Sequence, residues 1–397
     1  MQRERKAPAS LLVPALVGSL GGGRLDSLAD LHRDFGLATG VEMDYRSFHD
    51  RLGREGFANL ACASFFHAAE HLVLRALHFL PASPFARFDA VKIQDGTSFA
   101  LHAGLADVFP GRFKKSAPAA VEVHATLDLF TGASDRVAVA PDTAAERRFL
   151  PEPGALAGTL LLADRGYPSF AGLVAFDVAG ASFVMRVKKG LMCPVMGEYK
   201  DGALVDLDVP VPLATFLAKR PMGVLDLVVQ VAADGQVRHF RLVALPTKKG
   251  RTQLLTNLPA DDFTADAVGL AYRLRWQVEL QFKEWKSHAN LHRYVTRNAY
   301  IAEGLIWLSL LAALLARFMA TAAQLVGKVA ISTLKAAKVM QRHARALTTA
   351  LLAGADATLE VFMRAITNLV ESAQRSHPRR DNRIGRGESG LRPVFQG

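Results

Sequence analysis

The chain has 397 residues, half of them hydrophobic, with 48 Lys and Arg against 37 Asp and Glu. This length predicts two or three domains, and the hydrophobic share excludes wholesale disorder. The net charge of +11 favours a polyanionic partner, nucleic acid before an anionic membrane surface, although charge alone does not choose between them.

The N-terminal stretch is predicted to be helical. In the segment LDSLADLHRDFGLA the apolar residues recur at helical spacing, and Gly40 offers a helix stop. We interpret residues 1–80 as an N-terminal helical domain and a candidate DNA-binding domain, although no helix-turn-helix motif is secure from the sequence alone.

Strand-like segments dominate the middle of the chain. AVKIQDGTSFAL, VEVHATLDLFTG and TLLLADRGY are β-branched or apolar runs closed by turn residues, and FAGLVAFDV is typical of a short helix. Strands mixed with helices predict an α/β layer over residues 81–189. Residues 190–257 hold short strands around an AADG hairpin turn, which predicts an all-β insertion.

The C-terminal part of the chain returns to helix. Residues 258–300 contain a long charged helix, and residues 301–374 contain three apolar-rich helical segments that are candidates for a dimer interface. The apolar run at 304–316 is shorter than the roughly 20 residues that a membrane span needs, which favours a buried core helix. Residues 375–397 are rich in arginine and poor in apolar side chains, which predicts a disordered basic tail.

The cysteines and the N-terminus bear on cellular location. Cys62 and Cys193 allow at most one disulfide, which excludes a disulfide-stapled secreted scaffold and favours a reducing compartment. The short apolar stretch LLVPALV is interrupted by Pro14 and lacks a good small-residue cleavage site. We therefore expect a cytoplasmic protein without a membrane partner.

Two acidic residues follow strand-like runs. Asp95 ends AVKIQD and Asp164 closes TLLLAD, so each carboxylate is predicted at a strand end. Carboxylates at neighbouring strand ends can hold hard divalent cations, because Mg²⁺ prefers carboxylate oxygens together with water and phosphate. The simpler interpretation, that each Asp only begins a turn, is favoured for either residue alone.

A third set of polar residues lies on the helix AYRLRWQVELQFKEWKSHANL. With about 100° per residue, four of them fall within an arc of about 60°. These are Tyr272, Arg275, Glu279 and Lys286, with Lys283 close by. One acid among bases suits a carboxylate that binds a cation while its neighbours bind phosphates. A solvated charged face is the other interpretation, and the stripe alone does not decide between them.

This helix carries a recognisable signature. Its pattern Tyr272-x2-Arg275-x3-Glu279-x6-Lys286 matches the YREK signature of bacterial insertion-sequence transposases of the insertion sequence four group, which are DDE enzymes. The surrounding segment YRLRWQVELQFKEWK also resembles that family, including Trp276 after the arginine.

The two aspartates fit the same resemblance. Asp95 in QDGTSF is similar to the first catalytic block of the family, and Asp164 in ADRGY is similar to the second. The order Asp, Asp, Glu is kept, and the resemblance covers roughly residues 30–320.

The resemblance implies an α/β fold: an RNase H-like mixed sheet flanked by helices, interrupted by an all-β insertion, with N-terminal and C-terminal helical regions. It implies that Asp95, Asp164 and Glu279 are the catalytic residues and the metal ligands. The implied cofactor is Mg²⁺, two ions per site with Mn²⁺ as a substitute. The implied DNA-binding residues are Tyr272, Arg275, Lys286, Arg186 and Lys283.

The implied activity is DNA transposition. Such an enzyme cuts the DNA ends of an insertion sequence and joins the 3′-OH ends to target DNA by metal-dependent hydrolysis and transesterification. The implied partners are double-stranded DNA, as terminal repeats and as target, and a second copy in a DNA-bound homodimer. The alternative is a catalytically silent transposase-derived DNA-binding protein, although all three acids and the whole signature are present.

One competing metal motif occurs. His67, Glu70 and His71 fit the H-x-x-E-H pattern of zinc proteases, with two histidines on one helical face. A zinc hydrolase is a remote alternative, because so short a match is common by chance and no third ligand is evident. A helical surface or core-edge role is favoured.

Overall fold

A computed structural model describes residues 7–23, 25–188, 190–288, 296–375 and 388–395. The helices are α1 (Ala9–Gly21), α2 (Leu28–Thr39), α3 (Tyr45–Leu52), α4 (Glu55–His71), α5 (Phe170–Val178), α6 (Leu213–Ala218), α7 (Ala265–Leu274), α8 (Trp276–His288), α9 (Ala299–Gly327), α10 (Thr333–Ala353) and α11 (Ala355–Ser372). The strands are β1 (Leu77–Phe79), β2 (Ala90–Ala100), β3 (Pro110–Phe113), β4 (Ala117–Asp128), β5 (Ser134–Pro141), β6 (Thr159–Ala163), β7 (Ser182–Arg186), β8 (Pro194–Lys200), β9 (Ala203–Pro212), β10 (Leu225–Ala233), β11 (Gln236–Thr247), β12 (Gly250–Thr256) and β13 (Leu391–Pro393).

One mixed sheet organises the molecule. Its first five long strands lie in the order β5-β4-β2-β6-β7, with β4 antiparallel to both β5 and β2, and with β6 and β7 parallel to β2. Helices cover both faces: α7, α8 and α9 pack on one side, and α5 packs on the other. This is the strand order of an RNase H-like core, so the predicted fold class is confirmed.

The β-rich segment extends this sheet. Strand β12 pairs antiparallel with the edge of β7, and β11, β10, β8 and β9 follow outward in that order. The short helix α6 interrupts the strands, so the segment is not purely β as predicted. An unpaired sheet edge exposes backbone N–H and C=O groups. The pairing with β12 provides hydrogen-bond partners for these groups on the edge of β7.

The N-terminal helices share a core with the C-terminal helices. The inward side chains of α1, Leu12, Leu16 and Leu20, are completely buried, and α1 packs against α9 and α10. Helix α1 and the first part of α9 belong to the same apolar cluster as the sheet. The apolar surface of α1 is therefore covered by helices from the other end of the chain.

Helix α9 contains the apolar run singled out in the sequence. The helix is long and apolar enough, by length and composition alone, to cross a membrane. However, 67% of its most apolar window is buried inside the protein, where Trp307 packs on Phe65 of α4 with ring centroids 5.4 Å apart. The helix is therefore a core helix, as the run at 304–316 predicted.

Part of the predicted disordered tail is a strand. Strand β13 pairs antiparallel with β1, and Leu391 is buried against the core. The prediction of disorder is wrong for this stretch. The backbone of β1 pairs with it and Leu391 is buried, and neither long-range contact is visible in the local composition. The remaining tail residues, 376–387 and 396–397, lie outside the described residues.

The close approach of α4 and α9 gives a matched pair of stability predictions. A Cβ added at Gly304 of α9 would overlap the ring of Phe57, whereas a Cβ at Gly56 of α4 would meet nothing within 4 Å. We expect Gly304→Ala to lower the free energy of unfolding by about 1–3 kcal/mol, because a packed core resists added volume. Gly56→Ala should leave it unchanged or raise it by up to about 1 kcal/mol. Equal denaturation midpoints for the two variants would contradict this packing.

Candidate active site

The first acid lies inside a strand rather than at its end. Strand β2 continues five residues beyond Asp95, so the predicted strand-end position is corrected. The parallel neighbour β6 stops earlier, because its last pair with β2 is Gln94 with Ala163. Beyond that pair the two strands separate, and the next residue on each is an acid, Asp95 on β2 and Asp164 after β6. The gap in the sheet therefore brings both carboxylates to one place.

Each aspartate is fixed by its own local backbone. The Asp95 carboxylate accepts a hydrogen bond of 2.9 Å from the Gly96 amide, and the Asp164 carboxylate accepts one of 2.7 Å from the Arg165 amide. The carbonyl of Asp164 also accepts from the Tyr167 amide, which closes the turn. Asp164 thus begins a turn and also presents its carboxylate at the gap, so both sequence interpretations hold for it.

The signature residues lie on two helices that meet at Arg275. The sequence predicted one uninterrupted helix, but α7 ends at Leu274 and α8 begins at Trp276. At the junction the Arg275 amide donates to the Tyr272 carbonyl, and the Val278 amide donates to the Arg275 carbonyl. These bonds span three residues rather than four, which tightens the turn.

The Arg275 guanidinium lies between the three acids, Asp95, Asp164 and Glu279. It forms an ion pair with Asp95, lies 3.3 Å from Glu279 Oε1, and lies 3.9 Å from Asp164 Oδ2. Its side chain is only 8% exposed, while those of Asp95, Asp164 and Glu279 are 16%, 28% and 43% exposed. The structure therefore brings together all three acids predicted from the sequence, around one buried positive charge.

The environment shifts the pKa of the most buried acid. Burial raises the pKa of the Asp95 carboxyl to about 6, and the nearby Arg275 opposes that rise. Glu279 and Asp164 add a smaller upward contribution, because like charges nearby disfavour ionisation of the carboxyl. A positive charge or a cation at this position therefore stabilises the ionised form.

The other predicted positions divide into two sets. Tyr272 donates a hydrogen bond of 3.2 Å to Asp164, and Arg186 of β7 lies 3.7 Å from the same carboxylate. Lys286 donates to the backbone carbonyl of Ser98 at 2.9 Å, and burial lowers its pKa. Lys283 is exposed on α8, outside this set of contacts.

The three acids suit divalent cations by their chemistry. Carboxylate oxygens are the ligands that Mg²⁺ and Mn²⁺ prefer. In the described part of the chain, His67, Glu70 and His71 are the only three ligand side chains whose atoms all lie within 4.8 Å of one another. The three acids are therefore more widely spaced, around the guanidinium that now balances their charge. The three carboxylates are suitable ligands for a divalent cation. In this structure the Arg275 guanidinium contacts the same carboxylate oxygens.

A buried polar cluster behind Asp95 was missed by the sequence interpretation. On the opposite face of β2, a Cβ at Gly96 would crowd the side chains of Glu122 and His124, which leaves room only for glycine. Burial raises the pKa of Glu122 to about 7 and lowers that of His124 to about 4. The sequence did contain a signal for this cluster. Every second residue of VEVHATLD is polar, and this spacing places the polar side chains on one face of β4.

Comparison with known proteins identifies related sequences. A family model described as "Transposase DDE domain" matches residues 87–315. The transposase for insertion sequence element IS231E of Bacillus thuringiensis subsp. finitimus is 23% identical over 308 residues, which are 67% of this chain and 63% of that protein. The putative transposase InsL for insertion sequence element IS186A of Escherichia coli (strain K12) is 44% identical over 80 residues, 20% of this chain and 22% of that protein. The chain thus covers less than two thirds of either relative.

One solved structure is similar over most of the chain. The cryo-EM structure of a piggyBac transposase synaptic complex with hairpin DNA is 12% identical, covers 93% of this chain and 76% of its own, and superposes with a TM-score of 0.43. This likeness is too weak to add to the fold described above.

Proposed function

This chain belongs to the transposase DDE-domain family, and from that premise we propose that it cuts the DNA ends of an insertion sequence and joins the resulting 3′-OH ends to target DNA. Within the family we place it in the insertion sequence four group, because its two helices carry the whole YREK pattern. The support for activity, rather than a silent DNA-binding derivative, is the convergence of Asp95, Asp164 and Glu279 on one guanidinium.

The three acids would hold the cofactor, two Mg²⁺ ions with Mn²⁺ as a substitute. When bound, such ions lower the pKa of a coordinated water and stabilise charge on the attacking and leaving oxygens. Asp95 would be the most rigid ligand, because its carboxylate is the most buried of the three and is held by the Gly96 amide. Glu279 is the most exposed, so it lies nearest to the solvent from which DNA arrives.

The reaction then has two parts at one site. Water attacks a phosphodiester at the element end, which breaks the bond to the 3′ oxygen and frees a 3′-OH. That hydroxyl attacks a phosphodiester of the target, so a new bond to the element forms as the target strand breaks. Hydrolysis consumes one water and leaves a 5′ phosphate and a 3′-OH. Strand transfer consumes that 3′-OH and releases a 3′-OH on the target strand, so no oxidation or reduction takes place.

We propose that the basic residues around the acids bind the phosphates of DNA. Arg186 and Lys283 are the most accessible of them, since the Arg186 side chain is 37% exposed and Lys283 is exposed. Lys286 and Tyr272 already hydrogen-bond within the protein, so they would position the acids as well as contact DNA. Arg275 is buried and paired with the acids, so its contact with DNA requires that a cation takes over part of its charge compensation.

The partners follow from the same proposal. The substrates are double-stranded terminal repeats and target DNA, and the +11 charge suits both. We further propose that residues 1–80 contact DNA, that residues 301–374 contribute to a homodimer in the DNA complex, and that the protein works in the cytoplasm. We do not favour the zinc-hydrolase alternative, because in the described structure Glu70 lies with the two histidines as the third possible ligand. The described cluster then has no separate residue to act as the base.

The direct test is cleavage of DNA that carries the element's own ends. We expect this chain to produce 3′-OH ends and strand-transfer products in Mg²⁺ or Mn²⁺. It should produce neither in EDTA buffer without an added divalent cation. Binding should weaken steeply with salt, by about 0.9 in log K per unit log salt for each phosphate contact. Binding to the ends without cleavage in either cation would instead favour the silent DNA-binding protein.

A further inference from the structure

Three side chains at the C-terminal end of α4 hold metal-ligand atoms close together. His67, Glu70 and His71 each offer one ligand atom, and these atoms lie within 4.8 Å of one another. All three side chains are exposed, so an ion from solution can reach them. We propose that this His–Glu–His cluster binds one late first-row transition-metal ion, Zn²⁺, Ni²⁺ or Cu²⁺, as a site separate from the three acids.

The helix supplies the spacing that chelation needs. Positions i, i+3 and i+4 lie next to one another on a helical surface, which places Glu70 and His71 beside His67. The two imidazole rings have centroids 4.4 Å apart. Only small side-chain rotations are therefore needed for the three ligands to meet one ion.

The helix is also held rigidly from behind. On its inner face, Phe57 and Phe65 are buried, and Phe65 packs on Trp307 of α9 with ring centroids 5.4 Å apart. Because the backbone that carries the cluster is fixed by this packing, less entropy is lost when a metal orders the ligands.

The hydrogen bond of one histidine leaves its other ring nitrogen available to a metal. Nδ1 of His71 lies 2.8 Å from the backbone carbonyl of His67. A carbonyl can only accept, so Nδ1 must carry the hydrogen, and Nε2 is the nitrogen that can bind a metal. A hydrogen bond from the far ring nitrogen to a carbonyl is the usual support for a metal-binding histidine.

The ligand set decides the class of ion. Two imidazoles and one carboxylate favour Zn²⁺, Ni²⁺ and Cu²⁺, whereas Mg²⁺ prefers oxygen ligands alone. Glu70 acts as a ligand here, not as a free base, and the remaining coordination positions are open to water. Because Glu70 is used as a ligand, the described cluster has no free base beside the ion, and we assign it to metal binding that stabilises the last turn of α4.

The test is Zn²⁺ binding by the untagged full chain, measured by titration calorimetry with excess Mg²⁺ present to occupy the three acids. We expect about one Zn²⁺ per chain bound at this site, and an upward shift of the thermal midpoint, because an ion that binds only the folded state stabilises it. Losing a hydrogen-bond partner of a metal ligand costs roughly 10- to 100-fold in metal affinity. His67→Ala and His71→Ala each remove a ligand itself, so each should weaken Zn²⁺ binding by more than this. Glu70→Gln should weaken it less.

Two controls separate this site from others. His49→Ala removes a partly exposed histidine of α3 and should leave Zn²⁺ affinity unchanged. Glu279→Gln alters one of the three acids and should also leave the Zn²⁺ affinity unchanged. The Zn²⁺ proposal and the transposase proposal can therefore fail independently of each other. Zn²⁺ binding by His67→Ala and His71→Ala at wild-type affinity, or no stoichiometric binding by the wild-type chain, would overturn the proposal.

Discussion

Glu279→Gln is expected to reduce DNA cleavage by about 10³-fold, the scale of losing a group that stabilises the transition state directly, while end binding stays intact. The amide keeps the size of the side chain but removes the charge that attracts a divalent cation. Asp95→Asn and Asp164→Asn should have the same result, because each loss leaves the cation pair with an incomplete set of oxygens. The measurements are a gel shift for binding and a nicking assay for cleavage on the same DNA.

The design needs a control for altered charge. Asp208→Asn removes an exposed carboxylate of β9, in the outermost strand of the sheet, and should leave cleavage at the wild-type rate. If any of the three acid variants cleaved at the wild-type rate in Mg²⁺, the assignment of that residue as a ligand would be wrong. If all three lost end binding as well, their role would be structural rather than catalytic.

Arg275→Gln is expected to lower the free energy of unfolding by about 3–5 kcal/mol, the cost of leaving a buried charge without its partner. The guanidinium is the only described group that contacts all three acids, so its removal leaves their mutual repulsion uncompensated. Since a divalent cation can supply the missing positive charge, Mn²⁺ should recover part of the lost stability. Urea denaturation with and without Mn²⁺ measures both effects.

The neighbouring arginine provides the matched control. Arg273 pairs with Glu388 at the surface, where its side chain is 46% exposed, so Arg273→Gln should cost at most about 1 kcal/mol. Combining Arg275→Gln with Asp95→Asn should cost less than the two changes summed, because the second removes the charge that the first leaves unpaired. Additive losses, or no response to Mn²⁺, would show that Arg275 does not balance the acids.

The balance at Arg275 explains how the site can be stable before it is loaded. Three carboxylates close together would repel one another, and burial has already raised the pKa of Asp95. The guanidinium of Arg275 contacts all three carboxylates and compensates for this repulsion. A cation bound by the three acids, as proposed above, would compete with this internal positive charge and would link the stability of this region to metal binding.

Local sequence patterns were enough to predict most of the strands and helices and the candidate site residues. The β-branched or apolar runs AVKIQD and TLLLAD predicted strands, and the 3.6-residue period predicted the C-terminal helices. The YREK pattern pointed to Glu279, and the segments QDGTSF and ADRGY pointed to Asp95 and Asp164. These features depend on residues near one another in the chain, so a single sequence contains them. The prediction of one continuous helix failed only at Arg275, where the turn tightens.

The sequence by itself determined the candidate residues: two aspartates after apolar runs, one glutamate among bases, and their order along the chain. Only the tertiary structure decided that Asp95 lies within β2, that β6 ends one residue short of Asp164 and opens the gap, and that Arg275 occupies the space among the acids. It also decided that β12 continues the sheet and that β13 returns to β1. The physical reason is that strand pairing and buried charge balance join residues far apart in the chain, and their energies depend on which partners the fold brings together.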